Sequence, residues 1–401
     1  MSAAKEQREK LTWEFPNIGK KAPEQEEKAF AYCEGYKEFL NAAKTEREFV
    51  REAVLRLKEA GYEEFEEGKI YQPGDKVYQI NRKKALLMST FGKRPLGDGV
   101  RINVAHIDSP RLDLKPNPLY EKAEAAYFKT HYYGGIRKYQ WATIPLAMHG
   151  VVILKDGTSM DICIGEKEGD PVFCVTDLLP HLAAQQNERK LKDGIKGEEL
   201  NIIVGSLPYP CEEEDSIKEP VKLLALSILN ERFGMTEKDF LRAEIEFVPA
   251  VKATDVGLDR SLVGAYGQDD KVCAYTALTA EMEVKSPEYT TVTILADKEE
   301  IGSVGNTGLN SDFTLHYIEG LCKAGNVDVR KVLKNSLCLS ADVNAAYAIL
   351  NNGAEAVPLT DAAVAAIPNW RITNMMLLSA ESDDFANIQL SSYEETILLG
   401  T

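Results

Sequence analysis

Histidine is the scarcest ionisable side chain in this chain of 401 residues. There are five, at positions 106, 131, 149, 181 and 316, so chemistry that needs histidine must draw on that short list. Cysteine is also thin. The seven, at 33, 163, 174, 211, 273, 322 and 338, are scattered singly with no Cys-x-x-Cys pair, which argues against a thiolate zinc site or a redox motif. They are expected to be reduced core residues of a cytoplasmic protein. No run approaches the ~18 apolar residues of a membrane span, and the segment from Met1 to Lys20 has no apolar core of a signal peptide. A soluble, unprocessed protein is expected. Positive charge is outnumbered, 47 Lys+Arg against 63 Asp+Glu, for a net −16. That balance repels phosphate backbones and anionic membranes, which speaks against nucleic-acid and membrane partners.

Hydrophobic residues make up 44% of the chain, enough for a sizeable core and, at about 150 residues per domain, for two or three domains. Between Gln25 and Ala60, Phe39, Leu40, Ala43, Phe49, Val50, Val54 and Leu57 recur at helical spacing before Gly61, predicting one or two amphipathic helices. Lys44, Glu46, Arg47, Arg51, Glu52, Lys58 and Glu59 fill the other face, which predicts a solvated surface. Val77–Leu87 and Val100–Ile107 read as strands. From Lys115 to Val248 the texture changes to short β-like runs punctuated by Gly134-Gly135, Asp156-Gly157 and Gly169-Asp170, with a charged loop at Gln185–Glu199. After Pro249 helix and strand alternate again: a helix at Asp269–Val284, a strand at Thr291–Leu295, a helix at Phe313–Lys323 with Ser311 as N-cap, and a strand at Ser336–Leu339. The pattern predicts an α/β fold, a mixed sheet flanked by helices, with a β-rich domain inserted into it. The expected boundaries are a first catalytic part at 1–112, the insert at 113–248 and a second catalytic part at 249–401.

Candidate chemistry falls at predicted strand ends, where open α/β sheets place ligands. His106-Ile107-Asp108 pairs a possible ligand with a carboxylate able to orient it. Asp297-Lys298-Glu299-Glu300 clusters acids after a buried strand, which favours a cation between them; a solvated loop is the plainer reading. Asp269-Asp270 opens a helix, where N-capping would suffice, and Asp342 follows the strand Leu337-Cys338-Leu339. One histidine with several carboxylates is the mixed N/O donor set of a hydrolytic zinc or cobalt site, or of a pair of metals about 3.5 to 4 Å apart.

The order His106-Ile107-Asp108-Ser109-Pro110, Tyr133-Gly134-Gly135 with Trp141, Asp269-Asp270, Glu299-Glu300-Ile301-Gly302-Ser303, Ser340-Ala341-Asp342 resembles the motif series of the M18 aminopeptidases, from about Lys28 to Ala346. This family includes aspartyl aminopeptidase and vacuolar aminopeptidase I. The resemblance implies a zinc-peptidase fold whose inserted domain builds dimers, and dimers that assemble into a tetrahedral dodecamer. It implies a metallo-aminopeptidase that releases N-terminal residues from peptides with a free N-terminus by attack of a metal-bridged water. Two divalent ions per subunit are implied, zinc first, with cobalt or manganese acceptable to the same donors. By resemblance His106, Asp269, Glu300 and Asp342 are metal ligands, with Asp269 bridging; Glu299 is the general base, and Asp108 stands behind His106. An insert loop reaching a neighbouring subunit's site makes His131 or His149 a substrate-contact candidate, although surface or packing positions are expected for both. The family also has a last histidine ligand near the C-terminus, whereas no histidine follows His316 and residues 347–401 do not match. That departure leaves one alternative, a catalytically impaired oligomeric relative lacking the last ligand; the shared ligand logic leaves another, a different two-metal amidohydrolase or deacylase.

Overall fold

A computed structural model describes residues 2–12, 26–210, 217–342 and 376–379. Two helices open the main body, α1 (Glu26–Ala42) and α2 (Glu46–Glu59). Thr45 and Glu48 form a capping box that starts α2: the Thr45 side chain accepts from Glu48 N, and the Glu48 carboxylate accepts from Thr45 N at 3.0 Å. Phe49, Val50, Ala53, Val54 and Leu57 make the buried stripe of α2.

These helices cover a seven-stranded sheet. Its spatial order is β1 (Glu63–Glu64), β2 (Lys76–Asn81), β3 (Ala85–Thr90), β14 (Thr291–Ala296), β4 (Arg101–His106), β15 (Leu337–Ser340) and β16 (Met376–Ser379). β14 and β15 both run parallel to β4, while β3 is antiparallel to β14, so the sheet is mixed. Strand alternation splits the side chains between two cores. Leu86, Met88, Ala105 and Leu295 face α1, α2 and α4 (Gln268–Glu283); Leu87, Ile102, Val104, Val292 and Ile294 face α5 (Phe313–Ala324) and α6 (Val329–Lys334). Each fully buried Leu or Met side chain contributes about 1.5–3 kcal/mol.

The second sheet is antiparallel throughout, in the order β8 (Ser159–Ile164), β7 (Leu146–Ile153), β11 (Ala243–Pro249), β5 (Arg111–Lys122), β6 (Ala125–Tyr133), β10 (Ile202–Gly205) and β9 (Cys174–Val175). Helix α3 (Pro220–Phe233) packs Val221, Ala225 and Leu229 into its core with Phe128, Leu146 and Phe247. A separate hairpin pairs β12 (Thr254–Val256) with β13 (Leu262–Gly264). Chain direction brings the two sheets together: β4 ends at His106, and β5 of the second sheet begins at Arg111.

Several expectations change. The run Val77–Leu87 is two strands, because Arg82 and Lys83 take φ of 51° and 60° and turn the chain into a hairpin without the usual Asn-Gly signal. Asp312, not Ser311, precedes α5, and it makes no side-chain cap bond. Lys44 and Glu46 are not on a solvated face. They are 3% and 1% exposed, because the second sheet and its flanking loops cover the start of α2. Lys44 Nζ meets Glu166 at 2.7 Å, and Glu46 meets Lys84 at 2.8 Å and Arg111 at 3.4 Å. Of the cysteines, Cys322 is buried, Cys163 is exposed, Cys33, Cys174, Cys273 and Cys338 are half-buried, and Cys211 lies outside the described residues. Among the described residues no helix is long and apolar enough to cross a membrane.

Candidate metal centre

Parallel pairing decides where the acids go. Ala296 of β14 is level with His106 of β4, and Ser340 of β15 is level with Val104. The segments leaving the three strands therefore emerge side by side, carrying Glu299 and Asp342 toward the imidazole. His106 Nε2 lies 3.2 Å from Asp269 Oδ1, 3.7 Å from Glu299 Oε2 and 3.7 Å from Asp342 Oδ2. Donor atoms of His106, Glu299 and Asp342 all fall within 4.8 Å of one another. His106 is 4% exposed, and its Nε2 is buried without a well-formed hydrogen bond. An orphaned imidazole nitrogen facing carboxylate oxygens is a donor set that a divalent cation completes.

The other side of the ring is fixed. Nδ1 is 3.1 Å from the Asp108 carbonyl and 3.3 Å from its Oδ1. Both are acceptors, so Nδ1 donates to Asp108 and Nε2 is the nitrogen turned toward the acids. Asp108 is completely buried. Its Oδ1 accepts from Glu299 N at 3.2 Å, and its Oδ2 accepts from Glu300 N at 3.3 Å and from the Tyr133 hydroxyl at 2.7 Å. One carboxylate thus sets both the imidazole and the Glu299–Glu300 backbone. Lys298, with φ of 69°, makes the sharp turn that brings that backbone round.

Asp269 enters from the start of α4. It and Asp270 have non-helical backbone angles, and the peptide between them is cis. Neither caps the helix, contrary to the simplest local reading; Gly267 precedes α4 without any side-chain cap bond. Ser109 Oγ donates to the Asp269 carbonyl at 2.7 Å and receives Lys271 Nζ at 2.7 Å. Glu300 lies to one side, against the glycine turn: a Cβ on Gly134 would come within 2.7 Å of Glu300 Oε2. Among the described residues, the tightest donor group thus contains Glu299, and Glu300 borders it.

Electrostatics follow from crowding acids in a partly dry site. Burial, then the charge of Asp269, pushes the Glu300 carboxyl up to about 7. Glu299 is raised as well, by burial and then by Asp342, Asp108 and Asp269, which outweigh His106. Burial holds the Asp270 carboxyl well above its ordinary range. Burial works to lower the His106 pKa, yet Asp108, Asp269 and Asp342 overcome it and raise it, so a proton and a metal compete for Nε2. Asp108 resists the upward push of its burial because His106 and Tyr133 hold its charged form, and its pKa falls.

Comparison with known proteins decides the family. The family model for aminopeptidase I zinc metalloprotease (M18) matches residues 39–350. The chain belongs to the M18 aminopeptidase family. A probable M18 family aminopeptidase 1 of Clostridium acetobutylicum is 49% identical over 348 residues, covering 84% of this chain and 74% of its own. The crystal structure of an M18 aminopeptidase from Thermotoga maritima has a TM-score of 0.77 at 45% identity, covering 82% of this chain and 72% of that one. The S. cerevisiae mApe1 dodecamer shares the fold at a TM-score of 0.61 and 22% identity, over 77% of this chain and 70% of that one.

In this M18 chain the six residues singled out in the sequence lie around one centre. Three others, Tyr133, Ser109 and Lys271, brace them. Ser109 adjoins Asp108 and Lys271 follows Asp270, so their place beside motif residues was the available signal. Tyr133 opens the Tyr133-Gly134-Gly135 motif, which marked it without assigning it a role. The remaining histidines stand apart: His131, His181 and His316 are exposed, and His149 is buried against Glu48 and Glu166. Residues 347–375 and 380–401, where the family's last histidine would be sought, lie outside the described residues.

Proposed function

We propose that His106, Asp269, Glu300 and Asp342 hold two divalent ions, zinc first, and that this centre releases N-terminal residues from peptides with Glu299 as general base. The observation that carries the reading is the buried Nε2 of His106, left without a well-formed hydrogen bond while three carboxylates stand 3.2 to 3.7 Å away. Bound zinc supplies Lewis acidity, polarising a carbonyl and lowering the pKa of water toward about 7.

The chain's own residues do the rest. The Glu299 side chain is half exposed and belongs to the donor group, so it reaches solvent and substrate and is placed to take a proton from the attacking water. The same carboxyl then delivers that proton to the leaving amine. Asp108, anchored by the backbone of residues 299 and 300, keeps His106 and Glu299 in register through the reaction. The surrounding acids attract the free α-ammonium of a peptide, which favours removal of one terminal residue over internal cleavage.

Within the same reading, residues 1–112 and 249–401 form the catalytic part and residues 113–248 a dimerisation domain. Dimers would assemble into a tetrahedral dodecamer, and the protein would work in the cytoplasm. Substitution Glu299→Gln is the direct test. Zinc content per chain, measured by elemental analysis, should stay near two, while kcat on a free-N-terminus peptide falls by about 10²–10⁴. Undiminished hydrolysis would remove Glu299 from its role, and equal hydrolysis of N-acetylated peptides would rule out aminopeptidase specificity.

A further inference from the structure

We propose that Tyr133 is a positioning residue of the metal centre: its hydroxyl, supplied by the second sheet, holds the Asp108 carboxylate that orients His106 and the Glu299–Glu300 backbone. The inference rests on the roles of His106 and Glu299 given above.

Asp108 is fully buried and receives four close approaches. His106 Nδ1 is 3.3 Å away, the Glu299 and Glu300 amides are at 3.2 and 3.3 Å, and the Tyr133 hydroxyl is at 2.7 Å. The phenol is thus the shortest contact by half an ångström or more, and a charge-assisted O–H donor at that distance is about twice as strong as a neutral one. Burial and the adjoining Asp108 charge push the phenol pKa strongly up, so the hydroxyl stays a donor.

The phenol itself is held from the far side. Tyr133 is the last residue of β6 and stands opposite Arg111 of β5. The Arg111 guanidinium carbon lies 3.8 Å from the centre of its ring. Arg111 in turn meets Asp113 at 2.8 Å, Glu246 at 3.2 Å and Glu46 at 3.4 Å. The ring is therefore backed by a guanidinium that is itself tied to three carboxylates. Immediately beyond, Gly134 has φ of 73° and leaves the space that Glu300 occupies. The end of β6 thus reaches the centre twice, by the Tyr133 hydroxyl on Asp108 and by the Gly134 backbone beside Glu300. Tyr133 acts through Asp108 and touches no reacting atom, which makes it a positioning residue.

Tyr133→Phe keeps the ring over Arg111 and deletes only the hydroxyl. Zinc affinity should be measured by competition with a chromophoric chelator, starting from the zinc-loaded protein, alongside His106→Ala, Asp108→Asn and the Tyr133→Phe/Asp108→Asn double variant. The expected result is a 10- to 100-fold rise in zinc Kd for Tyr133→Phe, a matching fall in kcat with KM held, and no further loss when it is added to Asp108→Asn. A purely structural role would lower the thermal midpoint and leave zinc Kd unchanged. That outcome, an additive effect in the double variant, or a Tyr133→Phe chain that fails to fold would each overturn the proposal. His106→Ala separates the two levels. If it loses zinc while Tyr133→Phe does not, only the role of Tyr133 fails; if it too keeps full affinity, the ligand assignment fails first.

Discussion

Replacing His149 with leucine should weaken the protein by about 3 kcal/mol at pH 6, the lower end of the ~3–5 kcal/mol cost of breaking a buried ion pair. His149 is 3% exposed in β7. Its Nδ1 is 2.8 Å from Glu48 Oε1 and its Nε2 is 3.1 Å from Glu166 Oε1. The imidazole thus ties the capping-box residue of α2 to the loop after β8. Leucine would fill much of the space but leave Glu48 buried against an apolar group. Glu166 keeps Lys44 and Lys252, each at 2.7 Å, which is why the lower end of the range applies. Burial tends to lower the His149 pKa, but Glu166 and Glu48 prevail and raise it. A raised folded pKa means the stabilisation is complete below the unfolded value of about 6.5 and is lost as pH rises through the folded value. The carboxylates act oppositely. Burial pushes both carboxyls up, but Glu48 is lowered by His149 with the Thr45 amide, and Glu166 is brought down to about 2 by its bonds to His149, Lys252 and Lys44. Their share is present above an unfolded pKa of 4.5 and fades toward acid. The advantage of the natural chain over His149→Leu should therefore be greatest between about pH 4.5 and 6.5 and decline on the alkaline side. Urea unfolding followed by far-ultraviolet circular dichroism at pH 6 and pH 9 reads both effects. A loss under about 1 kcal/mol at pH 6, within the range of an exposed pair, or an advantage that grows toward pH 9, would refute the reasoning.

Two further outcomes follow from the centre itself. Gly134→Ala should cost about 1–2 kcal/mol for placing an L-residue in the left-handed region and should also weaken zinc binding by displacing Glu300. Gly135→Ala, where a Cβ meets nothing within 4 Å, should do neither, and equal effects at both positions would contradict the packing described. Stripping zinc with a chelator should lower the thermal midpoint, and restoring it at 100 times its Kd should return about 2.7 kcal/mol of stability. A midpoint indifferent to zinc would count against His106 and its acids as a metal centre.

The residues of the candidate centre were legible because each belongs to a short local pattern, at a strand end for all but Asp269, which opens α4. His106 and Asp108 close β4, Glu299 and Glu300 follow β14, and Asp342 follows β15. Alternating apolar residues mark such strands, and their ends collect ligands in open α/β sheets whatever the rest of the chain does. The helical stripe of α2 was legible for the same local reason. Charges on that helix were misread because periodicity says which residues share a face, not what lies against it. Lys44 and Glu46 are buried by Glu166, Lys84 and Arg111, which are 38 to 122 positions away in the chain. Likewise the turn at Arg82-Lys83 carries no glycine to announce it, and pairing between β2 and β3 alone imposes it.

By itself, the sequence determined the alternation of strand and helix, the β-rich character of the middle segment, and a family-specific order of one histidine and several acids. Those depend on neighbours in the chain and survive without any knowledge of packing. Only the tertiary structure decided that His106 faces Asp269, Glu299 and Asp342 together, since parallel register aligns β4 with β14 and β15, 190 and 236 residues further along, and packing brings the start of α4 beside them. It also decided that Tyr133 and His149 bind the second sheet to Asp108 and to Glu48, contacts that no local pattern announces. Hydrogen bonds to buried carboxylates are strong because water is excluded, and only the folded packing says where water is excluded.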